Sequence, residues 1–394
     1  MKNLILPLCL FLQTFCFNPF ASELDSFTLR KEIQSKMDSL VILNNIVRAK
    51  LKEGESSLST KNGCDKGHLI SVIKKKLIGG FAIPFPQCRV DRSYPWVSGF
   101  KGNFESLIQK GKGHSKNYVV PMKKKDSVFR NVTARESTAI TMVLGSLLNV
   151  KGLVVGSDKF GHFFSQGHEY YSLGGIKKIS KVLEYGHCLE TKVLGLSTSG
   201  VYSYGDLAAN IMGMLFWERV PGEYFICKEN TWTLNPNKAF SWHDYVSPAW
   251  DEGINNSFYY SKLITQKVKY QVIKLQDSNN TFLTPPLSQD YCEQMVDFFT
   301  REKNFGKKKG LLIAKHAISP ICLNIYAKSL KEKEMGIVAP KIPLKKWGRP
   351  GFLLYGEAEI DRRRSDILYR GIGDYINFSD SHLNSFWRDI GLSY

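Results

Sequence analysis

Beyond its first two dozen residues the chain has no hydrophobic run long enough to cross a bilayer. The longest, residues 139–150 and 207–217, fall well short of the ~20 apolar residues that a spanning helix needs. No transmembrane span is therefore expected after the N-terminal segment. The chain also has no Cys-x-x-Cys pair, which argues against a thioredoxin-type redox site or a cysteine zinc site. A phosphate-cradling glycine loop of the Walker or dinucleotide type is missing, as are a Gly-x-Ser-x-Gly elbow and a His-Glu-x-x-His motif. Those absences exclude the corresponding nucleotide folds, elbow-type serine hydrolases and zinc proteases. No internal repeat and no long low-complexity linker is found. Negative charge is in short supply: 36 Asp and Glu stand against 54 Lys and Arg, a formal charge of +18 over 394 residues.

What is present begins with Lys2, an apolar run from Leu4 to Phe17, and then Asn18-Pro19-Phe20-Ala21-Ser22. A positive end, a short apolar stretch and small residues read as a secretory signal peptide over residues 1–22. The expected location is thus periplasmic or secreted. Of eight cysteines, two (Cys9 and Cys16) fall in that segment. The other six, Cys64, Cys88, Cys188, Cys227, Cys292 and Cys322, suit structural disulfides in an oxidising compartment. Shorter loops close at lower entropic cost, so pairing of sequence neighbours is expected: Cys64 with Cys88, Cys188 with Cys227, and Cys292 with Cys322.

The basic excess suits an anionic partner, and in an exported protein that means envelope lipid or cell-wall polymer. The short runs at Lys74–Lys76, Lys123–Lys125, Lys307–Lys309 and Arg362–Arg364 read as solvated faces. None is interleaved with aromatics as a nucleic-acid surface would be, so nucleic acid is not an expected partner.

Hydrophobic periodicity predicts a mainly α fold with minor β structure, an α+β arrangement of central packed helices with irregular, disulfide-linked flanks. A helix is expected from Asp25 or Ser26 to about Lys52, interrupted on its apolar stripe by Asn44, and a second over residues 68–77. Residues 81–126, rich in Pro, Gly and aromatics, predict irregular structure with short strands. Residues 135–150 read as helical or buried apolar chain, 288–302 as helix and 351–360 as strand. The helical domain is taken as 23–238 and a mixed C-terminal region as 239–394.

Two segments carry the chemistry. In residues 157–171, read as one helix, Asp158, His162, Ser165 and Glu169 fall within an arc of about 60° at 100° per residue. Phe160, Phe163, Phe164, Tyr170 and Tyr171 cover the opposite side, and His168 lies off the polar stripe as a surface or loop-contacting histidine. In residues 203–220, Ser203 caps a helix that Pro221-Gly222 stops. There Asp206, Asn210, Gly213 and Trp217 share a face while the remainder is apolar, the pattern of a buried helix. A buried carboxylate needs a partner, so the two polar lines are expected to face each other, with Gly213 permitting close approach.

Three readings of that seam remain open. In one, Asp206 accepts from His162 or Lys159 within a structural network. In another, His162 with Asp158, Glu169 or Asp206 binds a divalent metal that activates water. In the third, His162 is a metal-free general base oriented by a carboxylate. The candidate catalytic residues are accordingly His162, Asp158 and Asp206, and the candidate binding residues Glu169, Ser165 and Asn210. Secondary candidates are His187 with Glu190, and Trp242-His243-Asp244 with Asp251-Glu252, read as a polar aromatic surface patch or a carbohydrate cleft.

Asp158-Lys159-Phe160-Gly161-His162-Phe163, followed by Gly205-Asp206-Leu207-Ala208-Ala209-Asn210-Ile211-Met212-Gly213, resembles a pattern in the YfiM-type exported envelope proteins. More distantly it is similar to VanZ-like membrane proteins, from which this chain departs by lacking membrane spans. The resemblance covers roughly 60 of 394 residues. It implies a bacterial envelope setting and carries no established reaction. A structural or partner-binding protein is the leading expectation, and a hydrolase acting on envelope lipid or glycan the rival.

Overall fold

A computed structural model of the chain describes residues 23–78, 117–137, 144–196, 199–259 and 288–334, with short pieces between them (82–84, 88, 96–98, 140, 261, 263–268 and 270–271). The expected signal peptide, the Arg362–Arg364 run and the strand at 351–360 lie outside the described residues.

The fold is mainly helical with small antiparallel sheets, as the periodicity implies. The first expected helix is two: α1 (Arg30–Ser35) and α2 (Leu40–Glu55). Asn44, the break in its apolar stripe, is buried because its Oδ1 accepts the Trp242 backbone N–H at 2.7 Å. Asp65 caps α3 (Lys66–Leu77) by accepting from His68 N. Strands β1 (Ala82–Pro84) and β2 (Trp96–Ser98) pair antiparallel, and β3 (Val119–Val120), β4 (Leu147–Val150) and β5 (Leu153–Gly156) form a three-stranded sheet. The apolar run before Gly152 thus ends in strand, held by its antiparallel pairing with β5.

From β5 the chain enters α4 (Asp158–Gly161), which continues without a break into a π-helical turn, His162–Gln166, and then α5 (Gly167–Ser172). Next come α6 (Ile179–Lys192), strand β6 (Val201–Tyr202) and α7 (Tyr204–Arg219). Ser203 caps α7 by accepting from Asp206 N, and Val220 follows its last turn. Strands β7 (Phe225–Lys228) and β8 (Thr231–Leu234) pair with each other, and β9 (Phe258–Tyr259) pairs with β6. Helices α8 (Gln289–Thr300), α9 (Gly306–Ala317) and α10 (Pro320–Glu334) complete the described chain.

Helix α7 is the axis of the core. Every residue from Tyr204 to Trp217 is buried, and it packs along the π turn and α5. The approach is backbone to backbone: a Cβ on Gly213 would meet Phe163 O, and one on Gly167 would meet Gly213 Cα at 2.6 Å. Around this contact Phe163, Phe216, Phe240, Trp242, Tyr245 and Trp250 pack at ring separations of 4.7–6.2 Å. The same apolar core continues into Met295, Phe299, Ile313 and Leu323 of α8–α10. Packing therefore runs straight across the soft boundary near residue 238.

Among the described residues three disulfides are formed: Cys64–Cys227, Cys88–Cys188 and Cys292–Cys322. Only the last joins sequence neighbours. The two others correct the expected pairing, because burial of α7 folds residues 163 and 100 positions apart onto each other, with Cα atoms 5.7 and 5.6 Å apart. Among the described residues no helix is long and apolar enough to cross a membrane.

Candidate functional site

The expected seam exists, and a lysine organises it. Lys159 is completely buried. Its ammonium lies 3.0 Å from Asp158 Oδ2, 2.5 Å from Asp206 Oδ1 and 2.6 Å from Glu252 Oε1. Gly205 makes room for it, since a Cβ there would stand 3.0 Å from Lys159 Cε. Glu252 also accepts from Ser203 Oγ at 2.6 Å, so one carboxylate joins α4, the α7 cap and the 251–256 turn. Burial alone would strip the Lys159 proton, yet the carboxylates of Asp158, Asp206 and Glu252 outweigh it and hold its pKa well above the ordinary value.

His162 stands one helical turn from Asp158. Its Nδ1 lies 3.1 Å from Asn210 Oδ1, and its Nε2 lies 3.3 Å from Asp206 Oδ2. Burial pushes the imidazole below its ordinary pKa, and nearby Lys159 pushes the same way. Asn210 Nδ2 in turn donates to Tyr170 Oη at 3.3 Å. The Asp158, His162 and Asp206 side chains keep 11%, 10% and 12% of their surface exposed, whereas Lys159 keeps none. The seam thus has a fully sealed half around Lys159 and a half at His162 that is buried but keeps this residual exposure.

Of the sequence-predicted residues, Asp158, His162, Asp206 and Asn210 are brought together. Among the described residues, the potential ligand atoms that converge, all within 4.8 Å of one another, belong to Asp158, His162 and Asp206. Glu169 is not in that group, and its carboxylate instead acts on the Tyr185 hydroxyl, whose pKa is raised first by burial and then by Glu169. Ser165 is buried inside the π turn. The π turn explains the shift: it inserts one residue into the helix and rotates everything after it by about 100°. Tyr170 therefore occupies the seam where a straight helix would put Glu169, moving from the side assigned to it by α-helical spacing.

The same rotation turns His168 inward, correcting its expected surface position. It is 8% exposed, with its ring 5.0 Å from that of Trp217. Burial pushes its pKa down to about 3. The unfolded chain then takes up this proton near pH 6.5, while the folded one resists until about pH 3. His168 contributes stability that is complete above pH 6.5 and is lost as pH falls, at about 1.4 kcal/mol per pH unit. Denaturant unfolding at pH 6 and pH 4.5 is expected to show this loss in the parent chain. It should be reduced by about one proton's worth in His168→Phe, which keeps a ring against Trp217; an unchanged pH slope in the variant would contradict the assignment.

Trp242, Asp251 and Glu252 are buried, so they form no surface patch. Asp251 pairs with the guanidinium of Arg30 and accepts from Val154 N at 2.8 Å. His187 Nδ1 meets Tyr202 Oη at 2.9 Å, and Glu190 accepts from Ser203 N at 3.4 Å. Burial raises the Glu190 carboxyl well above the usual range, with Asp206 adding to it. Burial does the same to Glu23, with Glu252 adding, so both carboxyls are harder to ionise beside an already acidic centre. Glu23 and the central position of Glu252 carried no local sequence signal, because each depends on contacts across many residues, whereas Glu190 was singled out only with His187.

No protein-family model matches the chain, and no curated protein or solved structure matches it either.

Proposed function

We propose that the protein is an exported cell-envelope protein that binds anionic envelope material, with the sealed half of the seam as its internal lock. The observation that carries this reading is Lys159, wholly buried between carboxylates from two helices and the 251–256 turn. Such a cluster fixes which helix faces meet, a role attested for buried polar groups. Export is supported by three disulfides and by the N-terminal pattern, and the envelope setting by the resemblance of the two motifs to YfiM-type proteins. The anionic partner is supported by the +18 charge and by lysines on the surfaces of α3 and α9.

The test is co-sedimentation of residues 23–394, disulfides intact, with vesicles of anionic phospholipid, vesicles of neutral phospholipid, and purified cell-wall polymer. Binding to one of the anionic materials at low salt, released as salt screens the charge, is expected. Equal recovery with neutral vesicles, or no binding to either anionic material, overturns the reading.

A hydrolase acting on envelope lipid or glycan is the second reading. It is favoured by the convergence of Asp158, His162 and Asp206, which sets an imidazole beside two carboxylates as an acid-base group requires.

A further inference from the structure

We propose that the His162 half of the seam is a divalent-cation site, in which His162 Nε2 and one oxygen each from Asp158 and Asp206 ligate a zinc-type ion. This goes beyond the envelope-binding reading and does not depend on it.

The first argument is which atoms face each other. Asn210 Nδ2 donates to Tyr170 Oη, which turns the Asn210 carbonyl oxygen toward His162 Nδ1 at 3.1 Å. A carbonyl only accepts, so Nδ1 carries the ring proton and Nε2 presents a lone pair. Asp206 Oδ2, also an acceptor, lies 3.3 Å from that nitrogen. Two acceptors at that separation are an arrangement a cation stabilises. A metal-bound histidine usually donates its other ring N–H to a carbonyl or carboxylate, and Asn210 is placed to receive it.

The second argument is distance. Two metal–ligand bonds of about 2.0–2.1 Å at a tetrahedral angle leave their ligand atoms about 3.3 Å apart. His162 Nε2 and Asp206 Oδ2 have that spacing, and an Asp158 oxygen completes a triad within 4.8 Å. Lys159 does not block the position. It holds Asp206 through Oδ1, the oxygen opposite the one facing His162, and Asp158 through Oδ2. The ammonium thereby orients two ligating carboxylates, as outer-shell partners do.

The third argument is chemical class. One imidazole and two carboxylates, with no thiolate because all six described cysteines are in disulfides, suit zinc or manganese. Three protein ligands leave the fourth position of a tetrahedral ion for water or substrate, the ligand number of catalytic rather than structural zinc sites.

The experiment is calorimetric titration of Zn²⁺, and separately Mn²⁺, into tag-free, chelator-stripped residues 23–394 with disulfides intact. One ion per chain is expected for the parent protein. Binding should fall at least 100-fold in His162→Gln and about 10–100-fold in Asn210→Leu, the outer-shell change. His243→Ala, an exposed histidine, should bind as the parent does. No stoichiometric binding of either ion overturns the site, as does parent-like affinity in His162→Gln. If circular dichroism shows that His162→Gln is unfolded, Asn210→Leu decides, and an unchanged affinity there overturns the proposal.

Discussion

Lys159→Met is expected to destabilise the protein by about 3–5 kcal/mol, measured by denaturant unfolding at pH 7 with the disulfides intact. Methionine is close to lysine in length, so the packing against Gly205 is largely kept and the change is mainly one of charge. What remains is Asp158, Asp206 and Glu252 around a buried apolar tip. Removing one member of a buried ionic cluster leaves its partners uncompensated, and that costs several kcal/mol. The direction is robust because the desolvation cost of the carboxylates is unchanged while their neutralising charge is gone. Adding Asp206→Asn to Lys159→Met should recover part of the loss, since one orphaned charge is then removed. A loss below ~1 kcal/mol in the single variant would show that Lys159 does not neutralise the seam.

The second large effect concerns the disulfides. The Cys64–Cys227 bridge closes 163 positions of chain and Cys292–Cys322 closes 30. Loop-closure entropy of the unfolded state then gives about 5 kcal/mol for the first and about 3.5 kcal/mol for the second. The double replacement Cys64→Ser with Cys227→Ser should therefore lower stability more than Cys292→Ser with Cys322→Ser. Cys227 sits in β7, and Cys64 immediately precedes the cap of α3, so this bridge ties the early helices to the segment beyond α7. Equal losses, or the reverse order, would mean that native-state contacts rather than loop length set the effect.

How far the sequence revealed this arrangement depends on the range of the forces involved. Helix α7 was legible almost to the residue, because its cap, its stop and its all-round apolar pattern are local. Gly213 was legible as a contact point for the same reason. The facing of Asp206 and Asn210 toward Asp158 and His162 followed from the rule that buried polar groups need partners. What stayed hidden was the π turn at residues 162–166, since α-helical spacing carries no sign of an inserted residue. That one insertion moved Tyr170 onto the seam and His168 into the core. Glu252 was hidden differently: it reaches Lys159 from 93 positions away, and nothing in its own neighbourhood marks it as buried. The disulfide pairing failed on the same long-range ground, because loop entropy favours neighbours while the core brings distant cysteines together.

These elements describe a seam in two halves. Around Lys159 it is sealed, ion-paired and structural; at His162 it keeps a residual exposure and is arranged to take a cation. The measurement that tests this division most directly is the ¹⁵N spectrum of the His162 ring in metal-free protein at pH 7. The account predicts a neutral imidazole with the proton on Nδ1, donated to Asn210, and a bare Nε2 toward Asp206. A proton on Nε2, donated to Asp206, would contradict it and make the whole seam one closed hydrogen-bond network.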